Sequence, residues 1–114
     1  MVDTTMIKPN TEFELCVTQM MTSEELQILT LLYQPIIGSV AVSLYMTLNT
    51  LASKSSPSLF SHHLLLQVLN VGVEDLLALR YKLEAVGLIQ VYVTEEDHHL
   101  TYYLKKPMQA KALF

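Results

Sequence analysis

Hydrophobic and polar residues follow two different periods along the chain, and each period predicts one kind of secondary structure. Over residues 12–19 they alternate one by one, which is typical of a strand with one buried face. Hydrophobic residues then recur every three or four positions, as in helices that bury one side. Two later segments are rich in residues that favour strands. The predicted helices cover residues 23–34, 38–52, 61–69 and 73–86, and the later strands cover residues 88–94 and 99–105.

Residues that start or stop helices stand at the expected boundaries. Thr22 or Ser23 is a good N-cap, and acidic residues follow in the first turn, where the helix dipole favours them. Pro35 is expected to end the first helix, because its ring removes a backbone donor and restricts the preceding residue. Gly87 suits the left-handed conformation that closes the last helix. A short turn with Gly72 separates the last two helices, as in helix-turn-helix units.

The order of these elements predicts a winged helix. A helix-turn-helix is followed by two strands that are close enough in sequence to pair as a hairpin. The predicted fold class is mainly α (α+β): a winged helix with an extra N-terminal strand and a C-terminal β-hairpin wing. The length of 114 residues suits one domain. We expect a flexible leader at residues 1–11, the winged-helix domain at residues 12–107 and the start of a linker at residues 108–114.

Composition restricts the class of protein. Hydrophobic residues make up 51% of the chain, which is enough to fill a folded core. Cys16 has no second cysteine to pair with, and an unpaired thiol suits a reducing compartment. No apolar run has the length of a secretory signal or of a membrane span. We therefore expect a cytoplasmic location.

Residues that would support catalysis or metal binding are sparse. The chain has three glycines without a phosphate-binding glycine-rich loop, and no serine stands in a nucleophile-elbow pattern. A thiol–imidazole pair of Cys16 with a histidine is conceivable, but free cysteines usually pack as small apolar residues. Residues 62–63 and 98–99 are histidine pairs, and a composite zinc site drawn from both lacks the spacing of zinc motifs. We therefore expect no enzyme, no metal and no cofactor.

DNA binding is the main alternative, because winged helices often place the helix after the turn in the major groove. Here that helix starts with Glu74 and Asp75, whose carboxylates would repel phosphates, and residues 95–97 at the tip of the wing are all acidic. The net charge of −4 disfavours DNA binding in the same way. The candidate DNA contacts, expected to be weak, are Arg80, Lys82, Lys105 and Lys106, with Lys111 beyond them.

Protein association agrees better with the pattern. The strand at residues 12–19 lies outside the helical core and is available to pair with the hairpin or with a copy of itself. Methionines next to it suit contact surfaces, although they also fill gaps in cores. The helix at residues 38–52 has hydrophobic residues on more than one side, and large apolar patches usually mark binding sites. The candidate oligomer interface is Phe13, Leu15, Val17, Met20 and Met21.

Two parts of the chain carry a family resemblance. Residues 32–38 read LYQPIIG and residues 40–48 read VAVSLYMTL. They closely resemble the start of the DnaB family of replication initiation proteins in low-GC Gram-positive bacteria, which are helicase loaders and not the replicative helicase of the same name. Residues 77–92 read LALRYKLEAVGLIQVY and are similar to that family and to its relative DnaD. The first part is fairly specific, whereas R-x-x-L-E-x-x-G-L in the second is common to many winged helices. The resemblance covers roughly residues 26–103.

The resemblance implies a role in assembly. In that family the N-terminal winged helix serves self-association, so dimers or tetramers are expected. Single-stranded DNA binding and helicase contacts are attributed to later domains. The full-length proteins act with DnaD, the initiator DnaA and the replicative helicase, and they associate with the membrane.

We interpret the chain as a non-catalytic self-association and protein-interaction domain of a helicase-loading, primosome protein. Within it, Tyr33, Pro35 and Gly38 are expected to fix the joint between the first two helices. The alternative is the winged-helix DNA-binding domain of a transcription regulator. Self-association and salt-sensitive binding to duplex DNA distinguish the two interpretations.

Overall fold

Helices in this fold pack against one face of a four-stranded sheet. A computed structural model of the chain describes residues 11–17, 21–53, 59–94 and 99–107. Within these residues the elements follow in this order: β1 (Glu12–Val17), α1 (Ser23–Ile28), a π-helical segment (Leu29–Tyr33), α2 (Gln34–Ile37), α3 (Ser39–Ser53), β2 (Phe60–Ser61), α4 (His62–Leu69), α5 (Val73–Ala85), β3 (Ile89–Thr94) and β4 (His99–Leu104).

The N-terminal strand lies inside the sheet, whose order is β2-β1-β4-β3. β1 runs parallel to β4 from the pair Phe13–Leu100 to the pair Val17–Leu104. It also pairs antiparallel with β2 at its first two residues. β3 and β4 form the antiparallel hairpin of the wing. Pairing of the first strand with the hairpin, one of the two predicted alternatives, is therefore confirmed.

The helix-turn-helix consists of α4 and α5. Asn70 ends α4 in the left-handed conformation, with φ of 56°, and Gly72 is the N-cap of α5. The hairpin of β3 and β4 follows directly. The predicted winged helix with an extra N-terminal strand and a C-terminal wing is therefore confirmed.

One hydrophobic core joins the sheet to the helices. Its largest fully buried side chains include Tyr45 on α3, Phe13 on β1, Tyr102 on β4 and Leu83 on α5. The hydroxyl of Tyr45 donates a hydrogen bond to the carbonyl oxygen of Lys105, just after β4. This bond connects the central helix to the end of the sheet, so α3 is held by a polar contact as well as by packing.

Pro35 does not end the first helix, contrary to the prediction. The backbone N–H of Gln34 donates to the carbonyl oxygen of Leu29, five residues earlier, and this π-helical segment precedes the proline. Pro35 therefore occupies the first turn of α2, where a helix needs no backbone donor. The helix ends instead at Gly38, whose φ of 90° favours glycine.

The other boundaries that fall within the described residues agree with the predictions within one or two residues. Thr22 is the N-cap of α1, and Gly87 has a φ of 78° after α5. β2 was not predicted, because two residues are too few to show an alternating pattern. The division into leader, domain and linker stays a prediction. Several predicted features lie outside the described residues. They are residues 1–10 of the leader, the loop at residues 54–58, the acidic turn at residues 95–97 and the linker at residues 108–114.

Candidate interaction surfaces

Phe13 lies in the centre of the core, so its prediction as an interface residue was wrong. Phe13 is 0% exposed. The centroid of its ring lies 5.6 Å from that of Phe60, 4.8 Å from that of His62 and 5.1 Å from that of Tyr102. The alternation along β1 correctly identified the strand, but the face that carries Phe13 is covered by the protein's own helices.

The other candidates near the first strand are partly covered. Leu15 and Val17 are half-buried against the core, on a strand that lies between two others. Met21 is half-buried and lines a groove beside Leu26. Met20 lies outside the described residues. Contact of Leu15, Val17 or Met21 with a partner stays a prediction.

Arg80 is also buried, so its prediction as a DNA contact was wrong. It is 3% exposed, and its Nε lies 3.2 Å from Oε1 of Glu84, one turn later on α5. Arg80 shares the inner side of α5 with Leu76 and Leu83, which belong to the core. A guanidinium in this position cannot contact a DNA phosphate at the surface.

The lysines of the predicted DNA set have different surroundings. Lys82 and Lys105 are exposed. Lys106 is half-buried, and its Nζ lies 3.2 Å from Oε1 of Glu25. Lys111 lies outside the described residues. Lys82 on α5 and Lys105 just after β4 therefore remain as exposed members of the predicted set within the described part of the chain.

A chain of polar groups crosses the core beside Arg80. Nδ1 of His62 donates to the carbonyl oxygen of Thr11 at 2.6 Å, so Nε2 accepts the hydroxyl proton of Tyr102. Nη1 of Arg80 donates to the same Tyr102 oxygen at 3.4 Å. Burial lowers the pKa of His62 below its ordinary value of 6.5 and raises the pKa of Tyr102 to about 12. Both side chains are therefore neutral and hold β1, α4, α5 and β4 together.

The residues considered for catalysis or metal binding lie apart. Among the described residues, no three His, Cys, Asp or Glu side chains are grouped so that they could hold a metal ion. Cys16 is half-buried, and the buried His99 places Nε2 3.5 Å from Oε1 of Glu14. His98 lies outside the described residues. In the same part of the chain, none of the helices combines the length and apolar character that crossing a bilayer requires.

The segment from the end of α1 to the end of α3 exposes several large apolar side chains. Residues 26–53 contain no Asp, Glu, Lys, Arg or His. Leu31 and Ile36 are 71% and 73% exposed, and Leu26 and Val40 are also exposed. We refer to these four exposed side chains together as the uncharged helical surface, at whose edge Glu24 lines a pocket with Leu31. Exposed apolar surfaces usually contact a partner.

A groove lies along α3, and none of these four exposed side chains lines it. It has a volume of about 520 Å³ and extends along α3 to α4. Gln34 and Ser39, which flank Ile36 in the sequence, line it together with Met46 of α3 and Val68 of α4. The side chains that line the groove are all uncharged.

The wing carries a second apolar surface. Tyr92 on β3 and Tyr103 on β4 are exposed, and their rings meet edge to face with centroids 5.1 Å apart. Val93, the next residue on β3, is exposed on the opposite face of the strand. We call the two tyrosine side chains the wing surface. β3 is the edge strand of the sheet, and an edge strand can accept a further strand.

Part of this exposure was predictable from the sequence. The prediction that the helix at residues 38–52 carries apolar residues on more than one side is confirmed, because the exposed Val40 and the buried Val42 lie about 200° apart around α3. The absence of charge over residues 26–53 was a further signal. The exposure of Ile36 depends on the helix continuing through Pro35, which the sequence pattern did not predict.

Comparison with known proteins agrees with the observed fold. The family model described as DnaB N-terminal winged helix domain matches residues 7–114. The replicative helicase loading/DNA remodeling protein DnaB of Staphylococcus aureus (strain NCTC 8325 / PS 47) is 28% identical over 112 residues, which are 95% of this chain and 24% of that protein. The crystal structure of primosome protein DnaB (residues 1–300) from Geobacillus stearothermophilus superposes with a TM-score of 0.88 at 28% identity, over 95% of this chain and 42% of that one. This chain therefore spans less than half the length of either relative.

Proposed function

The chain belongs to the family of DnaB N-terminal winged helix domains, and from this premise we propose that it is a non-catalytic self-association and protein-interaction domain of a protein that loads the replicative helicase. The family resemblance found in the sequence is thereby confirmed. The relatives are a helicase loading protein and a primosome protein, which supports work in a multiprotein assembly.

One observation carries the proposal: large apolar side chains remain exposed after the core has formed. Leu31 and Ile36 lie on the uncharged helical surface, and Tyr92 and Tyr103 lie on the wing surface. Exposing such groups to water costs free energy that contact with another protein recovers. Two apolar surfaces on one small domain are typical of an assembly module.

The proposal divides the work between this domain and the longer protein. Here the domain contributes self-association, as a dimer or tetramer. Contacts with DnaD, DnaA and the replicative helicase, and most of the contact with DNA, belong to the longer protein. We place that protein in the cytoplasm, with membrane association as a property of the whole.

The transcription-regulator alternative is not favoured. Both relatives act in replication. The outer side of α5, the helix that would enter the major groove, exposes Glu74 and Asp75 against Lys82. Carboxylates at that position repel phosphates, while Arg80 lies in the core.

The proposal is tested by energy transfer between two differently labelled copies of the chain. Donor-labelled and acceptor-labelled chains, each modified at the N-terminus, are mixed and diluted in steps. We expect energy transfer that decreases on dilution and on addition of unlabelled chain. Fluorescence anisotropy with a labelled DNA duplex is recorded in parallel. Absence of energy transfer, together with tight and salt-sensitive duplex binding, would favour the transcription-regulator alternative.

A further inference from the structure

The edge strand β3 exposes large apolar side chains on both of its faces. We propose that its free edge binds an extended segment of a different protein, which adds a strand to the sheet and alternates apolar with basic residues. This inference rests on the proposed protein interaction and gives it a surface and a class of partner. It is separate from self-association.

The backbone of β3 has a free edge within the described part of the chain. Among the described strands β3 pairs only with β4, from the pair Ile89–Leu104 to the pair Thr94–His99. In an antiparallel pair, every second residue of an edge strand directs its N–H and C=O away from the neighbouring strand. A row of backbone donors and acceptors therefore lies along the outer side of β3, and an extended segment provides the matching row.

The exposed side chains of β3 require an occupant that reaches both faces of the sheet. Val93 shares the core face with its partner Leu100, yet it is 48% exposed, whereas Ile89 at the start of the strand is 1% exposed. Tyr92 lies on the opposite face and is 52% exposed. The side chains of a strand alternate between the two faces, so an added strand contacts both Val93 and Tyr92. A helix, a bilayer or a flat protein surface would cover one face.

The charge of the sheet favours a basic segment. The four strands contain Glu12 and Glu14 but no lysine or arginine. Residues 95–97, which follow β3 in the sequence, are acidic, and the whole chain has a net charge of −4. A basic segment complements this charge, whereas a second copy brings the same acidic excess and DNA brings phosphates. Lysine or arginine next to Tyr92 also gains a contact with the face of the aromatic ring.

Binding of a peptide probe to the whole chain tests the inference. The probe is a fluorescent peptide of about eight residues that alternates valine and lysine, and fluorescence anisotropy gives its dissociation constant. We expect a peptide that alternates valine and glutamate to bind at least about tenfold more weakly. A valine–lysine peptide with N-methylated backbone amides keeps the charge but cannot pair as a strand. It should also bind at least about tenfold more weakly.

Amide hydrogen exchange and one substitution locate the contact. The probe should slow the exchange of the β3 amides that face away from β4 and leave the amides of α3 unchanged. Tyr92→Ala should raise the dissociation constant of the probe at least about fivefold. Tyr81→Ala on α5 is the matched control, because Tyr81 is 51% exposed, and it should stay within about twofold of the wild type. Circular dichroism verifies that both variants are folded.

The outcomes separate this inference from the proposed self-association. Equal binding of the N-methylated peptide would show charge attraction without strand pairing, and equal binding of the valine–glutamate peptide would exclude a basic partner. Either result overturns the inference. Slower exchange in β3 when the chain alone is concentrated would assign the edge to a second copy and also overturn it. A chain that self-associates but does not bind the probe would overturn this inference and leave self-association in place. A monomeric chain that binds the probe along β3 would do the reverse.

Discussion

At the scale of single residues, Phe13 is the central contact of the core. Its ring lies between those of Phe60, His62 and Tyr102 and is fully buried. We expect Phe13→Ala to lower the free energy of unfolding by about 3–5 kcal/mol, because the substitution removes these contacts and leaves a cavity. Urea unfolding followed by circular dichroism measures the change.

Val93→Ala is the control for this prediction. Val93 is half exposed on the wing, and its truncation should change the free energy of unfolding by less than about 0.5 kcal/mol. A Phe13→Ala chain that is as stable as the wild type but no longer associates would contradict the burial of Phe13 and restore it as an interface residue.

His62 makes the stability of the fold depend on pH. Burial holds the pKa of its imidazole below the ordinary value of 6.5. Below that pH the folded chain binds fewer protons at this site than the unfolded chain. The contribution to stability is therefore complete above pH 6.5 and is lost as the pH falls through the folded pKa. We expect the free energy of unfolding to decrease as the pH is lowered from 6.5.

Two substitutions identify the group responsible. His62→Gln removes the titrating imidazole and should flatten the pH dependence, at the cost of lower overall stability. His63→Gln removes the neighbouring imidazole, which is exposed, and should keep the wild-type slope. Urea unfolding at a series of pH values gives the slopes. Equal slopes for the wild type and His62→Gln would assign the pH dependence to a different group.

The placement of individual side chains was the least predictable property. Arginine is almost never fully buried, so the sequence favoured a surface position for Arg80. Its burial depends on the ion pair with Glu84 and on the hydrogen bond to Tyr102, a residue 22 positions away. Likewise, the alternation along β1 shows which residues share a face with Phe13, but not which face the helices cover.

At the scale of elements, a capping box starts α1. Oγ1 of Thr22 accepts from the backbone N–H of Glu25 at 3.2 Å, and Oε1 of Glu25 accepts from the backbone N–H of Thr22 at 2.8 Å. We expect Thr22→Ala to lower the free energy of unfolding by about 1 kcal/mol, because the first turn loses a side-chain acceptor. Thermal and urea unfolding measure the effect.

Thr30→Ala is the matched control for Thr22→Ala, because it makes the same chemical change at a threonine that does not cap a helix. Oγ1 of Thr30 donates to the carbonyl oxygen of Leu26, four residues earlier within the helical segment. Such bonds contribute little, so the change should stay below about 0.5 kcal/mol. Equal losses for Thr22→Ala and Thr30→Ala would mean that capping does not explain the effect of Thr22.

Local elements were predictable, whereas their long-range pairing was not. The helices and the wing hairpin follow from hydrophobic period and from residues that cap or break helices, which are local properties. The position of β1 between β2 and β4 depends on contacts such as that of Glu14 with Thr101, 87 residues apart. The π-helical segment before Pro35 is a local rearrangement that hydrophobic spacing does not reveal.

At the scale of the whole molecule, the charged residues lie outside a long segment that exposes large apolar side chains. The chain has a net charge of −4, yet residues 26–53 carry none of its charged side chains. The net charge and the family resemblance could be read from the sequence. The exposed apolar surfaces could not be predicted from the sequence, because they depend on which sides of each element the fold covers. Association through the exposed apolar side chains should be insensitive to salt, since screening weakens only charged contacts.

The central claim is that this domain associates with itself, and light scattering on the wild-type chain tests it most directly. The chain is measured at about 100 μM, well above a micromolar dissociation constant, at low salt and at about 0.5 M NaCl. We expect a mass of at least twice the 12.9 kDa of one chain at both salt concentrations. A mass of 12.9 kDa under both conditions would contradict the account.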